Sequence, residues 1–110
     1  MKKLYPLFVV LFLISNGFGQ KLHEVIETYE NGNIKSITYH KEIRYRVEKV
    51  KFEKYYENGQ KELEGTYKDG EMDGLWTEWN YNGQKFEEIN YKHGKKDGSY
   101  TEYKHNGQKS

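Results

Sequence analysis

The chain has 110 residues, no cysteine, 18 Lys and Arg against 17 Asp and Glu, and 16% aromatic residues. This length allows one small domain, the charge balance excludes a strongly basic surface of the kind that binds nucleic acid, and the missing cysteines exclude disulfide bonds and thiolate metal sites. With 11 glycines, 11 tyrosines and no alanine, the composition favours strands and turns over helices.

Residues 1–19 have the pattern of a secretory signal peptide. Two lysines precede an apolar run over residues 4–14, and a Gly-Phe-Gly sequence ends the segment with small residues. The run is shorter than the roughly 20 residues that span a bilayer, although an uncleaved N-terminal anchor is the alternative. We therefore expect cleavage before Gln20, a secreted or periplasmic protein, and no transmembrane segment in the mature chain.

An internal repeat of 24 residues is the strongest signal in the sequence. The dipeptide Asn-Gly occurs four times, and the last three copies are 24 residues apart. Residues 65–85 are identical to residues 89–109 at 11 of 21 positions. Such self-similarity predicts a repeat architecture in which each unit is one supersecondary element.

The pattern of each unit predicts two strands joined by glycine turns. Asn-Gly between strand-like segments predicts a β-hairpin with a type I′ turn, in which both turn residues have positive φ. Two further glycines in each unit predict a second turn, so the fold is expected to be all-β, a single-layer antiparallel meander of repeated hairpins. The predicted turn residues are Asn31, Gly32, Asn58, Gly59, Gly70, Gly74, Asn82, Gly83, Gly94, Gly98, Asn106 and Gly107.

The repeats proper cover residues 52–110, and residues 20–51 form a divergent N-terminal hairpin unit. The second half of the divergent unit has no glycine. We expect strands over Ile43–Val47 and Val50–Tyr56, with a turn or bulge near Glu48-Lys49.

The last unit is incomplete, because the sequence ends three residues after its Asn-Gly. Its strand, residues 99–105, is therefore expected to be an open edge. An open edge can pair with a strand of another molecule, which predicts edge-strand self-association. Truncation without a function is the alternative.

Two rows of aromatic residues recur with the repeat and are the candidate partner-contact residues. On a regular strand, side chains three positions apart point to opposite faces, so the two rows cannot share a face unless a bulge intervenes. One row is expected to pack the sheet and the other to be either packing or a contact surface. The first row is Phe52, Trp76 and Tyr100, and the second row is Tyr55, Trp79 and Tyr103.

The sequence carries no recognisable catalytic constellation. Its four histidines, at positions 23, 40, 93 and 105, have no metal-ligand spacing. Glu78 and Glu102 occupy the same repeat position, but a thin sheet offers no cleft for a carboxylate pair. We predict no catalytic site, no cofactor and no metal.

Units of the form Gly-x-x-x-Gly, aromatic, Glu-aromatic and Asn-Gly resemble the MORN-repeat variant family. They run from Gly70 to Lys85 and again from Gly94 to Lys109. The resemblance covers residues 52–110 well and residues 25–39 loosely. It implies an elongated single-layer antiparallel sheet with a binding or assembly role, and many bacterial members look like antitoxin proteins of the YwqK type.

These observations together predict an exported, non-catalytic repeat protein that mediates protein–protein interaction. An antitoxin-like or immunity-like role is the finer form of this hypothesis. A surface-associated lipid or glycan binder is the alternative, since Tyr and Trp rows suit sugar rings and lipid headgroups.

Overall fold

A computed structural model describes residues 8–15, 20–104 and 109, and the side chains of residues 22–98, 100–104 and 109. The described residues form one antiparallel sheet of eight strands, whose spatial order is the order along the chain. The strands are β1 (Phe8–Ser15), β2 (Gln20–Thr28), β3 (Ile34–Ile43), β4 (Arg46–Tyr55), β5 (Lys61–Lys68), β6 (Glu71–Trp79), β7 (Lys85–Lys92) and β8 (Lys95–Glu102). The predicted all-β, single-layer meander is therefore confirmed.

The sheet has almost no interior. Among the described residues the only buried apolar side chains are those of Ile37 and Trp76, and the buried polar ones are those of Glu53 and Thr77. Most other strand residues are half-buried, as expected where large side chains shield one another on the surface of a single layer. No helix among the described residues could cross a membrane.

The Asn-Gly turns lie where they were predicted, but their type differs from the prediction. In the first turn, Gly32 N donates a hydrogen bond to Tyr29 O (3.0 Å) and Tyr29 N donates one to Asn33 O (2.8 Å). Asn31 Oδ1 accepts a bond from Asn33 N at 2.9 Å, and only the glycine, at φ 91°, has positive φ. This is a three-residue loop that ends in a glycine bulge, so the predicted type I′ turn is wrong here.

The same loop recurs at the next two Asn-Gly pairs. Gly59 N and Gly83 N donate to Tyr56 O and Asn80 O, respectively. Asn58 and Asn82 each accept a bond from the backbone N–H two residues on, as Asn31 does. The fourth predicted turn, Asn106-Gly107, lies outside the described residues.

The second pair of glycines in each unit has two different roles. Asp69 (φ 51°) and Gly70 (φ 82°) form a two-residue turn with both φ positive, as do His93 and Gly94. Gly74 and Gly98 lie inside β6 and β8, beside shifts in strand register. The prediction that these two glycines turn the chain is wrong, because positive φ here forms β-bulges.

The divergent N-terminal unit turns earlier than predicted. β3 ends at Ile43 and β4 begins at Arg46, so the turn consists of Arg44 and Tyr45, and the predicted turn near Glu48-Lys49 is wrong. Arg44 takes φ 49°, a conformation that its residue type does not signal. The register slips by one residue at Val50, so a bulge lies next to the predicted position.

The apolar segment at the start of the chain forms the first strand of the sheet. β1 pairs with β2 from Phe8 opposite Glu27 to Ser15 opposite Gln20. The removal of residues 1–19 as a signal peptide stays a prediction, and it would leave β2 as the edge strand of the mature sheet. At the other edge, β8 is followed by a bridge between Tyr103 and Lys109.

Candidate functional site

The two aromatic rows lie on opposite faces of the sheet, as their spacing of three predicts. Trp76 is the register partner of Ile89, and Trp79 that of Lys85, across the same pair of strands. We call the face that carries Trp76 the first face and the face that carries Trp79 the second face.

The first row is mainly a packing row. Trp76 is 5% exposed, and its Nε1 donates a hydrogen bond to Thr66 O at 3.0 Å. Its ring makes edge contacts with Tyr67 and Tyr91, at centroid distances of 5.2 and 6.3 Å. It lies directly against Gly65, where a side chain would overlap the ring. Trp76 therefore serves the stability of the sheet.

The other members of the first row are packed differently from Trp76, because Gly65 does not recur in the other units. Phe52 is the register partner of Gly65 on its other side, and it is half-buried. Tyr100 is opposite Ile89, the residue that replaces Gly65 one repeat later. Tyr100 is 49% exposed, so only this end of the first row is accessible.

The second row alternates with lysines from β4 to the residue that follows β8. Tyr55 is the register partner of Lys61, and Trp79 that of Lys85. Lys61 Nζ lies 5.9 Å from the ring centroid of Tyr55 and 5.8 Å from that of Trp79. Lys85 Nζ lies 5.8 Å from the ring centroid of Tyr103. The ammonium groups lie over the ring faces, so the rings are poorly placed to stack on a ligand.

Buried Glu53 holds the second face together. Its carboxylate accepts hydrogen bonds from Tyr39 (3.0 Å), Tyr55 (3.3 Å) and Lys61 (3.2 Å). Burial acts to raise the pKa of Glu53, but the bonds from Tyr39 and Lys61 and the charges of Lys61 and Lys51 outweigh it and hold this pKa below its ordinary value. Burial and the bond to Glu53 raise the pKa of Tyr39 well above its ordinary value.

The next unit repeats this arrangement. Lys85 Nζ lies 3.1 Å from Glu88, which also accepts a bond from Tyr103 at 2.6 Å. The Tyr103 bond, with Lys85, holds the pKa of Glu88 below its ordinary value. The polar groups of the second face thus satisfy one another, which leaves little for a partner to contact.

The Asn-Gly turns are joined into a ladder that sequence reasoning missed. Tyr29 Oη donates to Tyr55 O (2.6 Å), and Tyr56 Oη donates to Trp79 O (2.7 Å) one unit later. Asn31 and Asn58 donate to backbone oxygens of the following turn, those of Glu57 and Tyr81. The recurrence of Tyr two residues before Asn31 and Asn58 was the available signal.

The first face carries a shallow groove of about 210 Å³. This volume is below the roughly 300–1,000 Å³ of sites for drug-sized ligands, but it can take a side chain. The groove is lined by Leu63, Met72, Trp76, Glu78, Glu87, Ile89 and Tyr91.

Two carboxylates meet in this groove. Glu78 and Glu87 are register partners across β6 and β7, where like charges oppose each other. Burial, a hydrogen bond to Glu87 and the charge of Glu87 raise the pKa of Glu78. The hydrogen bond from Tyr100 to Glu87 is the largest cause that raises the pKa of Tyr100 to about 12. Sequence reasoning considered Glu78 with Glu102 and missed its pairing with Glu87.

The first face also carries a pair of histidines. His23 and His40 are register partners on the first face, a pairing invisible in their sequence spacing. Burial, Lys49 and His23 lower the pKa of His40. In the part of the chain that the structure describes, no three His, Asp or Glu side chains are grouped to hold a metal ion. Glu78 and Glu102 lie two strands apart, each next to Glu87.

Comparison with known protein families supports the interpretation of this chain as a repeat protein. No curated protein and no solved structure matches the chain. Repeats of this type are generally associated with binding to proteins or membrane lipids. Residues 50–69 and 72–93, which span β4 to β7, match the family model of the MORN repeat variant.

Proposed function

We propose that this protein is an exported, non-catalytic module that binds another protein through the groove on the first face. The observation that carries the proposal is the position of this groove on an open sheet, with apolar walls and two opposed carboxylates. Apolar depressions with polar rims are typical of protein interfaces.

The contrast between the two faces supports the choice of the groove. On the second face, each lysine of the row lies within 3.2 Å of a carboxylate. On the first face, Leu63, Ile89 and Tyr91 are half-buried around the groove. A partner that covers these side chains would remove apolar surface from water, which favours association.

Export is supported by the signal-peptide pattern of residues 1–19. An antitoxin cannot neutralise a cytoplasmic toxin from outside the cytoplasm, so an immunity-like role at the cell surface or in the periplasm is the form of the proposal that agrees with export. The partner is then a protein that is itself exported or that arrives from outside.

One experiment tests location and binding together. The full chain with a C-terminal tag is expressed in its own source, recovered by cell fraction after cross-linking, and identified with its partners by mass spectrometry. We expect an N-terminus at Gln20, recovery outside the cytoplasm, and one dominant protein partner. An intact N-terminus or a cytoplasmic product would contradict export.

Two matched variants connect the partner to the groove. Ile89→Lys places a long cationic side chain in the groove, and Val47→Lys makes the same change at an exposed position (52% exposed) on β4. We expect the partner to be lost with Ile89→Lys and kept with Val47→Lys, while both variants keep the strand signal in circular dichroism. Retention of the partner by both variants would mean that the groove is not the contact.

The alternative is a binder of lipid surfaces, and one observation favours it. Tyr45 is 101% exposed at the tip of the β3–β4 hairpin, between the exposed side chains of Arg44 and Arg46. An aromatic ring between cationic groups suits the interface of an anionic membrane. Co-sedimentation with anionic vesicles that is lost in Arg44→Gln/Arg46→Gln, without any protein partner, would favour this function.

A further inference from the structure

On the second face, a lysine side chain lies between two opposed carboxylates. Glu53 and Glu64 are register partners across β4 and β5. Lys61 Nζ contacts both of them, at 3.2 Å from Glu53 and 2.5 Å from Glu64. The side chain of Lys61 also passes beside two aromatic rings. In this protein, an opposed carboxylate pair is thus neutralised by the ammonium group of a lysine whose apolar stem lies beside aromatic rings.

Glu78 and Glu87 form the same opposed pair on the first face, but without a cation. Neither forms an ion pair with a Lys or Arg of the described residues. One repeat earlier, the corresponding positions hold Lys54 and Leu63. On the other side of Glu87, Glu102 is its register partner on β8 and extends this row of carboxylates. Glu78 and Glu87 are both half-buried, which makes their repulsion stronger than it would be in water.

The groove beside this pair supplies the place for an apolar stem. Leu63, Met72 and Ile89 line it together with the aromatic residues Trp76 and Tyr91. Its volume of about 210 Å³ is small for a cofactor and adequate for one long side chain. A lysine packs its methylene stem on apolar surface while its head stays with polar groups.

We propose that the groove is the receptor site for a lysine side chain presented by an extended segment of a partner protein, with the ammonium group between Glu78 and Glu87 and the methylene stem against Leu63 and Ile89. The proposal rests on the proposed function, because it names the chemistry of the partner at that groove. Lys61 between Glu53 and Glu64 is the internal precedent for the bound state.

The direct test uses the full chain and a probe of defined chemistry. The probe is the peptide acetyl-Gly-Leu-Lys-Leu-Gly-amide, and its control has norleucine in place of lysine, which keeps the stem and removes the charge. Amide shifts of Glu78 and Glu87 and the indole N–H of Trp76 are followed by NMR at pH 7. We expect saturable shifts with the lysine peptide and at least about fivefold weaker binding of the norleucine peptide.

Charge-matched variants separate a local site from general attraction. Glu78→Gln/Glu87→Gln removes the pair, and Glu30→Gln/Glu57→Gln removes the same charge from exposed turn positions. We expect the first variant to weaken binding of the lysine peptide at least about fivefold and the second to leave it unchanged. Equal binding of both peptides, no saturable shift, or equal loss in the two variants would overturn the proposal.

The inference and the proposed function can fail separately. If the natural partner is captured by wild type and equally by Glu78→Gln/Glu87→Gln, while Ile89→Lys loses it, the groove binds the partner without a lysine and the inference is wrong. If no partner depends on Ile89 but the lysine peptide still binds with the expected selectivity, the groove takes a lysine side chain as inferred, and the proposed function is wrong.

Discussion

The indole ring of Trp76 lies against the backbone of Gly65 on the neighbouring strand. A methyl group added at Gly65 would overlap the ring atoms Cδ2, Cε2 and Cε3. Gly65 has no positive φ, so its lack of a side chain serves this close approach and not an unusual backbone conformation. In a sheet with so few buried side chains, this contact is the nearest equivalent of a core.

Gly65→Ala should therefore destabilise the protein. We expect a loss of about 2 kcal/mol in the free energy of unfolding, because the added methyl group forces the ring of Trp76 or the strand to move. Urea denaturation followed by circular dichroism measures this change. In a Trp76→Leu background the overlap is removed, so the added cost of Gly65→Ala should fall below about 1 kcal/mol. The same cost in both backgrounds would contradict the contact.

The features that could be read from the sequence are those set by local spacing. Two rows three residues apart must lie on opposite faces of a regular strand, and that holds for Trp76 and Trp79. The positions of the Asn-Gly turns were also evident. Their type was not, because Asn-Gly suits both a two-residue turn and the end of a three-residue loop, and strand register decides between them.

Contacts between strands depend on that register and could not be predicted. A three-residue loop and a bulge at Phe86 bring Glu87 opposite Glu78. A two-residue turn would have shifted this pairing and changed which side chains share a face. The Gly65–Trp76 contact was hidden for the same reason, since the bulge at Gly74 sets its register.

Lys61→Met should destabilise the protein more than Lys85→Met, although the two lysines occupy equivalent repeat positions. Lys61 pairs with Glu53, whose side chain is 8% exposed, whereas Lys85 pairs with Glu88, whose side chain is 17% exposed. Removing Lys61 leaves the more buried carboxylate with weaker compensation, at a cost of about 2 kcal/mol at pH 7. Urea denaturation of both variants measures the difference, and equal losses would contradict this view of Glu53.

The pH dependence of Lys61→Met has a defined sign. In the wild-type protein the pKa of Glu53 is lower in the folded state, so its contribution to stability is complete above the unfolded pKa and is lost as pH falls through the folded pKa. Without Lys61, one hydrogen bond and one charge that lower this pKa are lost while burial remains, so the folded pKa of Glu53 is higher than in the wild-type protein. The stability gap between wild type and variant should therefore shrink from pH 7 to pH 4. A gap that grows on acidification would show that Lys61 does not act through a carboxylate.

Tyr56→Phe should weaken the ladder between successive turns. The hydroxyl of Tyr56 donates to Trp79 O at 2.7 Å in a half-buried position, and its loss should cost about 1 kcal/mol in the free energy of unfolding. Tyr81→Phe is the matched control, because Tyr81 is 59% exposed and contacts Tyr56 by its ring edge. The control should stay within about 0.5 kcal/mol of wild type. Similar values for both variants would leave the ladder without an energetic role.

Arg44→Asn should stabilise the protein. Arg44 takes φ 49° at the tip of the β3–β4 hairpin, a left-handed conformation that costs most side chains about 1–2 kcal/mol and that asparagine tolerates better. We expect a gain of about 0.5 kcal/mol or more in the free energy of unfolding. Arg46→Asn makes the same change in charge two residues away, where φ is not positive. It also removes an exposed ion pair with Glu48, so it should give no gain. A gain in both variants would indicate relief of charge repulsion at the tip, whereas a gain in Arg44→Asn alone identifies backbone strain as the cause.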